Sequence, residues 1–137
     1  MQRLFAAFLA VLLVLGPVGL TRAASAQTPP EIIGAQIDAF RAQDVERAFG
    51  YASGGIRAIF GNAETFGQMV AQGYPMVIDP AEVRYLDRFT RAGVPVQRVL
   101  IVDRAGATFL LEYRFTGAGE TLRIDGVRLL PEAGTGV

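Results

Sequence analysis

The spacing of apolar residues changes once along this chain, and that change constrains its fold more than any other feature of the sequence. Between Pro29 and Gly73, apolar side chains recur at intervals of about three and four residues, the period of an amphipathic helix. From Pro75 onward, apolar and polar residues alternate, as in strands with one buried face. Helices that precede the strands, rather than alternating with them, predict an α+β fold. We expect N-terminal helices packed on a curved antiparallel sheet of four to five strands.

Capping residues mark where the predicted helices begin. Thr28 stands before Pro29 and Glu31, which combines an N-cap, a proline in the first turn and a capping box. Asp44 and Asn62 are further N-cap residues, each followed by apolar residues at helical spacing. The predicted helices therefore run from Pro29 to about Gln43, from Asp44 to Ser53 and from Asn62 to Gly73, with a short apolar turn at 56–60.

Turn residues divide the second half of the chain into predicted strands. In the strand Thr108–Phe115, Tyr113 shares the apolar face, while Glu112 and Arg114 lie on the polar face. Arginines on the polar faces of the strands (Arg84 and Arg88, with Arg98 or Arg114) are interpreted either as a basic stripe or, more simply, as paired with acidic neighbours. The predicted strands are Val83–Phe89, with Val83, Tyr85 and Phe89 on one face, then Val96–Asp103, Thr108–Phe115, Thr121–Leu130 with a bulge at Asp125-Gly126, and a short strand at Met76–Asp79.

Residues 1–26 have the features of a secretory signal peptide. Arg3 gives a positive start, Leu4–Gly16 is apolar or small, and Ala24-Ser25-Ala26 is an A-x-A cleavage site. The alternative is a membrane anchor, because Leu4–Thr21 is uncharged and approaches the length of a membrane span. Helix-breaking glycine and proline residues at 16–19 favour cleavage after Ala26. We expect a periplasmic or secreted protein with one domain, 27–137, and no membrane attachment after cleavage.

The composition excludes several classes of function. The chain contains no His and no Cys, which excludes Ser-His-Asp triads, Cys-His pairs, disulfides and thiolate or imidazole metal sites. Residues 27–137 carry 11 Arg against 13 Asp and Glu, a formal charge of −2. Nucleic-acid affinity comes largely from positive charge placed on phosphates. We therefore expect no nucleic-acid partner, no metal site and no cofactor.

The order of elements resembles the nuclear-transport-factor-2-like, or cystatin-like, α+β cone. A narrower resemblance is carried by a set of residues spread over the two halves of the chain: Gln36, Ala39-Phe40, Asp44, Ala48-Phe49, Ala52-Ser53, Ile56, Phe60, Phe66, Met69-Val70, Gly73-Tyr74-Pro75 and Ile124-Asp125-Gly126-Val127. In these residues the chain resembles the uncharacterised bacterial family called domain of unknown function 4864. That family has no agreed activity, so the resemblance implies a fold and an envelope location.

The cone resemblance also implies a pocket between the sheet and the helices, since several relatives bind small apolar ligands there. The simpler interpretation of the same aromatic residues is an ordinary packed core. Tyrosines are the informative residues, because a buried hydroxyl needs a hydrogen-bonding partner. The predicted ligand-binding residues are Phe40, Phe66, Met69, Tyr74, Tyr85 and Tyr113, with Phe89 and Phe115 as further candidates for the pocket wall.

Three functions remain open from the sequence. The favoured one is a non-catalytic exported module that binds a small apolar ligand or a protein partner. A cofactor-free isomerase or lyase would need a tyrosine and a carboxylate, and Asp103 or Asp125 beside Tyr85 or Tyr113 are the candidates. Both aspartates stand at predicted turns or bulges, where Asp is common for backbone reasons, so no catalytic residue is predicted. The third function is a structural domain that forms a homodimer through its sheet.

The predicted signal peptide can be tested directly. After expression of the full chain in a Gram-negative host, the protein in the periplasm should begin at Gln27 because cleavage follows Ala26. N-terminal sequencing of the periplasmic fraction measures this. Recovery of the protein in the membrane fraction with Met1 or Gln2 still at its N-terminus would support the membrane anchor instead.

Overall fold

The computed structural model describes residues 27–131. The predicted signal peptide, residues 1–26, lies outside the described residues, as do residues 132–137. The described chain has the predicted α+β architecture, with helices followed by an antiparallel sheet. The helices are α1 (Pro29–Arg41), α2 (Val45–Gly50), α3 (Gly54–Phe60) and α4 (Ala63–Gly73), and the strands are β1 (Glu82–Arg91), β2 (Val94–Val102), β3 (Thr108–Thr116) and β4 (Arg123–Leu130).

The predicted N-caps are all present. The side chains of Thr28, Asp44 and Asn62 accept hydrogen bonds from the first-turn amides of α1, α2 and α4. The apolar turn predicted at 56–60 is a helix of its own, α3, because Ser53 caps it by accepting a hydrogen bond from Ile56 N at 3.2 Å. Each cap satisfies a backbone donor that has no partner within its helix.

The short strand predicted at Met76–Asp79 is wrong. Residues Pro75–Val77 form a turn of 3-10 helix that follows α4. Pro75 has its φ angle restricted to helical values, and Ile78 N donates to Pro75 O at 3.2 Å. The sheet therefore has four strands within the described residues, joined in the order β1-β2-β3-β4 with every neighbouring pair antiparallel.

A bulge in β1 changes which face of the sheet Phe89 occupies. Tyr85 pairs with Val99, whereas Arg88 pairs with Gln97, so β1 holds one more residue than β2 over this stretch. The extra residue reverses the alternation of side chains. The prediction that Phe89 shares a face with Tyr85 is therefore wrong.

The side chain of Gln97 satisfies the backbone of this bulge. It is only 2% exposed, and its Nε2 donates to the carbonyl oxygens of Leu86 and Asp87 at 3.1 and 3.4 Å. Both carbonyls lie in the bulged segment, where the regular ladder is interrupted. A buried amide at this position therefore replaces ladder hydrogen bonds that the bulge removes.

The predicted bulge in β4 is confirmed and connects the sheet to the helices. Arg114 pairs with Gly126, but Phe115 pairs with Ile124, which leaves Asp125 as the extra residue. Ile124 also forms a parallel bridge with Ala52, which lies between α2 and α3. This bridge covers part of the edge of β4. The N–H of Ile124 donates to Tyr51 O, and the carbonyl oxygen of Ile124 accepts from Ser53 N.

The two faces of the sheet have different roles. Val99, Leu111, Tyr113 and Ile124 lie on the face that joins the buried apolar core with the helices. The opposite face, here called the open face, carries Phe89 and many of the charged residues of the strands, among them Arg91, Arg98, Glu112, Arg114 and Arg128. Helices placed on one face of an antiparallel sheet in this way are typical of α+β folds.

A buried carboxylate on the open face joins all four strands. Glu112 of β3 is only 2% exposed and contacts Arg91 of β1 at 2.7 Å, Arg98 of β2 at 3.1 Å and Arg128 of β4 at 2.9 Å. Arg91 and Arg98 also lie over the ring of Phe89, at 5.2 and 5.0 Å from its centroid. The bulge in β1 places Phe89 beneath these guanidinium groups, which accounts for its position on the open face.

The arginines stabilise the ionised form of Glu112. Their hydrogen bonds, that of Arg91 above all, lower the pKa of Glu112 from its ordinary value of 4.5 to about 2. Because the pKa is lower in the folded chain, this carboxylate contributes stability that is fully present above the unfolded pKa. That contribution is lost as the pH falls from 4.5 through 2.

Replacement of the buried carboxylate tests its contribution to stability. At pH 7, Glu112→Gln should lower the free energy of unfolding by about 3 kcal/mol, since it leaves three guanidinium groups close together without a counter-charge. Denaturant titrations should show the difference from the unmodified protein shrinking as the pH falls from 4.5 to 2. The control is Glu82→Gln, which breaks the exposed pair with Arg84 and should cost less than about 1 kcal/mol. Equal losses in the two variants at pH 7 would contradict a special role for Glu112.

Candidate ligand-binding cavity

A cavity lies between the helices and the last two strands. Its volume is about 300 Å³, and it opens to solvent. Every helix from α1 to α4, or the segment directly following it, contributes to the wall, and β3 and β4 supply the floor. The residues that line it are Gln36, Phe40, Ala52, Ile56, Phe60, Phe66, Met69, Val70, Tyr74, Val77, Tyr113, Arg114, Ile124, Gly126 and Val127.

Five of the six predicted ligand-binding residues line this cavity, and Tyr85 does not. The five are Phe40, Phe66, Met69, Tyr74 and Tyr113. Tyr85 is 39% exposed, and its hydroxyl lies against Gly34 of α1, only 3.2 Å from where a Cβ at that position would be. It therefore covers the edge of the sheet beside α1. Of the further candidates, Phe115 is buried in the core and Phe89 lies on the open face, and neither lines the cavity.

Aromatic rings cluster around Phe66 on the helical side of the cavity, and all of them except Phe49 line it. The ring centroid of Phe66 is 6.1 Å from that of Phe40, 5.3 Å from that of Phe49 and 5.9 Å from that of Phe60. These rings come from all four helices. Offset and edge-on aromatic contacts of this kind give a rigid apolar wall.

Two of the polar side chains in the wall serve the protein's own backbone. Gln36 is buried, and its Nε2 donates to Ala48 O at 3.1 Å, which joins α1 to α2. The Tyr74 hydroxyl donates to Val127 O at 3.1 Å, which ties the end of α4 to β4. Both contacts satisfy a backbone acceptor, so these donors have a structural role.

The hydroxyl of Tyr113 differs from that of Tyr74. Tyr113 is only 1% exposed, yet its hydroxyl makes no hydrogen bond to any residue in the described part of the chain. Burial raises the pKa of Tyr113 above its usual value, and the nearby hydroxyls of Tyr85 and Tyr74 act in the same direction. Tyr113 therefore stays protonated at neutral pH and presents a neutral donor to the cavity.

Arg114 is a residue of this site that the sequence analysis placed only on the polar face of β3. Among the described residues, it is the only charged side chain in the cavity wall. Its guanidinium group lies over Gly126, the cross-strand partner of Arg114, in the space that a Cβ at that position would occupy. The absence of a side chain at Gly126 therefore lets Arg114 reach the cavity across the edge strand. A glycine opposite an arginine, next to a bulge, is the sequence signal that could have indicated this.

The two aspartates considered for catalysis hold backbone structure elsewhere. Asp103 Oδ1 accepts hydrogen bonds from Ala105 N at 3.0 Å and Ala107 N at 2.8 Å in the turn between β2 and β3. Asp125 Oδ1 accepts a hydrogen bond from Ser53 Oγ at 2.7 Å. Neither aspartate lines the cavity, and no carboxylate does within residues 27–131.

The described residues contain neither a cluster of metal-ligating side chains nor a membrane-spanning helix. From residue 27 to residue 131, no three acidic side chains come close enough to hold a metal ion. Over the same range, no helix is both long and apolar enough to cross a membrane.

Comparison with known proteins gives one match. A family model described as "Domain of unknown function (DUF4864)" matches residues 22–137, which is most of the chain. No curated protein and no solved structure matches the chain.

The two tyrosines of the cavity should respond differently to removal of the hydroxyl. Tyr74→Phe should lower the free energy of unfolding by about 1 kcal/mol, because Val127 O loses its partner. Tyr113→Phe should change it by less than about 0.5 kcal/mol, since no hydrogen bond between its hydroxyl and a described residue is lost. Urea denaturation of both variants measures the difference. A larger loss for Tyr113→Phe than for Tyr74→Phe would show that the Tyr113 hydroxyl has a partner in the folded protein.

Proposed function

Because the chain belongs to the family described as a domain of unknown function (DUF4864), and that description assigns no activity, we propose a function from the cavity itself. We propose that the protein is an exported, non-catalytic module that binds a small apolar ligand between its helices and its sheet. The observation that carries the proposal is the cavity of about 300 Å³ walled by Phe40, Phe60, Phe66 and Met69.

The size of the cavity supports ligand binding over an ordinary core. Protein interiors are close-packed and hold few voids larger than a water molecule, whereas this cavity is several times that size. The cavity lies at the lower end of the range of small-molecule sites, about 300 to 1,000 Å³. Since a water-sized group occupies about 30 Å³, the cavity accommodates a ligand of about ten non-hydrogen atoms.

The chemistry of the wall favours binding over catalysis. Proton transfer by an isomerase or lyase needs a base within hydrogen-bonding reach of the substrate. Asp103 and Asp125 are engaged in a turn and in a contact with Ser53, and the raised pKa of Tyr113 keeps its hydroxyl protonated, so Tyr113 supplies no base at neutral pH. The remaining wall is mainly aliphatic and aromatic, which suits an apolar ligand.

The open face of the sheet is less suited to an apolar homodimer contact. A dimer formed through that face would require a contiguous exposed apolar patch. The centre of the face is instead occupied by Glu112 and the guanidinium groups of Arg91, Arg98 and Arg128. We therefore favour the cavity over the open face as the functional surface.

The cone superfamily and the exported location form part of the same proposal. A four-stranded antiparallel sheet that follows its helices, with bulges in both edge strands, is compatible with a nuclear-transport-factor-2-like, or cystatin-like, cone. The signal-like segment at 1–26 supports export. The ligand would then be met in the periplasm or outside the cell.

Ligand binding is tested by thermal unfolding with neutral apolar probes of suitable size. We expect 1-octanol, indole or naphthalene to raise the Tm, because a ligand at ten times its Kd stabilises the native state by about 1.4 kcal/mol. For a domain of this size, that corresponds to roughly 6 to 11 °C. If none of the three probes shifts the Tm at its solubility limit, the proposal is wrong.

A variant that fills the cavity tests whether the probes bind there. Met69→Trp adds a large side chain to the wall and should abolish the shift while leaving the protein folded. The matched control is Ile59→Trp, because Ile59 is 74% exposed on α3 and does not line the cavity. A shift that persists in Met69→Trp, or disappears in Ile59→Trp, would place the binding elsewhere.

A further inference from the structure

We propose that the natural ligand is an amphiphile with a carboxylate head, which Arg114 binds at the mouth of the cavity while the apolar tail lies inside. The proposal rests on the function proposed above and names the class of ligand. It starts from the charges of the cavity wall, where Arg114 is accompanied by no carboxylate among the described residues. An anionic head is therefore attracted and a cationic head repelled at this position.

The position of Arg114 suits a head group better than a tail. Arg114 is exposed, whereas the rings of Phe40 and Phe66 on the helical side are almost completely buried. A ligand with one polar end can keep that end in contact with water while its tail lies against the rings. A guanidinium group offers two parallel N–H donors, which match the two oxygens of a carboxylate.

The local structure keeps Arg114 available for this contact. Three other arginines of the open face, Arg91, Arg98 and Arg128, donate to Glu112. Arg114 has no such ion pair with a described residue and lies over Gly126 instead. Its neighbour Tyr113 also lines the cavity, and its hydroxyl is protonated at neutral pH, so it offers a second donor to a ligand there. A ligand that carries oxygen acceptors satisfies both donors, which a pure hydrocarbon does not.

Three probes with the same tail and different heads test the proposal: octanoate, 1-octanol and octylammonium. Calorimetric titration at pH 7 should give an octanoate Kd about tenfold lower than that of octylammonium, as expected for one charge-assisted contact at a partly solvated site. Arg114→Gln should weaken octanoate binding about tenfold and change 1-octanol binding less than about twofold. Higher salt should reduce the effect on octanoate, because the contact is electrostatic and exposed.

Two further variants test whether octanoate binding depends on the position of the Arg114 guanidinium or only on the positive charge of the protein. Gly126→Ala keeps the charge but places a methyl group where the Arg114 guanidinium lies, so it should weaken octanoate binding more than 1-octanol binding. Arg88→Gln removes an exposed arginine from β1, a strand that does not line the cavity, and should leave both affinities unchanged. Circular dichroism and the Tm establish that each variant is folded.

The outcomes distinguish the two proposals. If neither octanoate nor 1-octanol binds the unmodified protein, the ligand-binding function and the carboxylate inference both fail. If 1-octanol binds but octanoate binds no better than octylammonium, only the carboxylate inference fails. It also fails if Arg114→Gln leaves octanoate binding intact, or if Arg88→Gln weakens that binding as much as Arg114→Gln does.

Discussion

One buried carboxylate, Glu112, links the four strands on the face of the sheet opposite the helices. Burial of a single charge is unfavourable, and only its several arginine contacts make this position tolerable. The next two residues along β3, Tyr113 and Arg114, both line the cavity. The contacts of Glu112 and part of the floor of the cavity therefore come from the same short stretch of β3.

The two faces of β3 each contribute one residue to the wall of the cavity. Tyr113 turns toward the helices, where aromatic rings of α1, α3 and α4 line the cavity. Arg114 turns toward the open face, but it lies over Gly126 of the edge strand and so reaches the same cavity. An apolar interior and a cation at its mouth thus come from adjacent residues. This arrangement depends on β4 being an edge strand with a glycine opposite Arg114.

Sequence reasoning succeeded where a local pattern had one structural solution. The N-caps at Thr28, Asp44 and Asn62 and the bulge after Ile124 follow from short-range chemistry that the rest of the fold does not override. It failed where one extra residue in a strand changed the face occupied by the residues after it. The bulge in β1 reversed the side of Phe89, and no residue near Phe89 in the sequence reports on the pairing with β2 that creates it.

The sequence by itself determined the order of helices and strands, because the period of apolar residues is a local property of each element. It also determined that no histidine or cysteine chemistry is available. Only the tertiary structure decided which aromatic residues surround a cavity and which, like Tyr85, cover an edge. It alone brought Arg114 to the cavity and buried Glu112 among three arginines. The physical reason is that packing and charge pairing depend on distances between residues far apart in the chain, and alternation along one strand does not contain those distances.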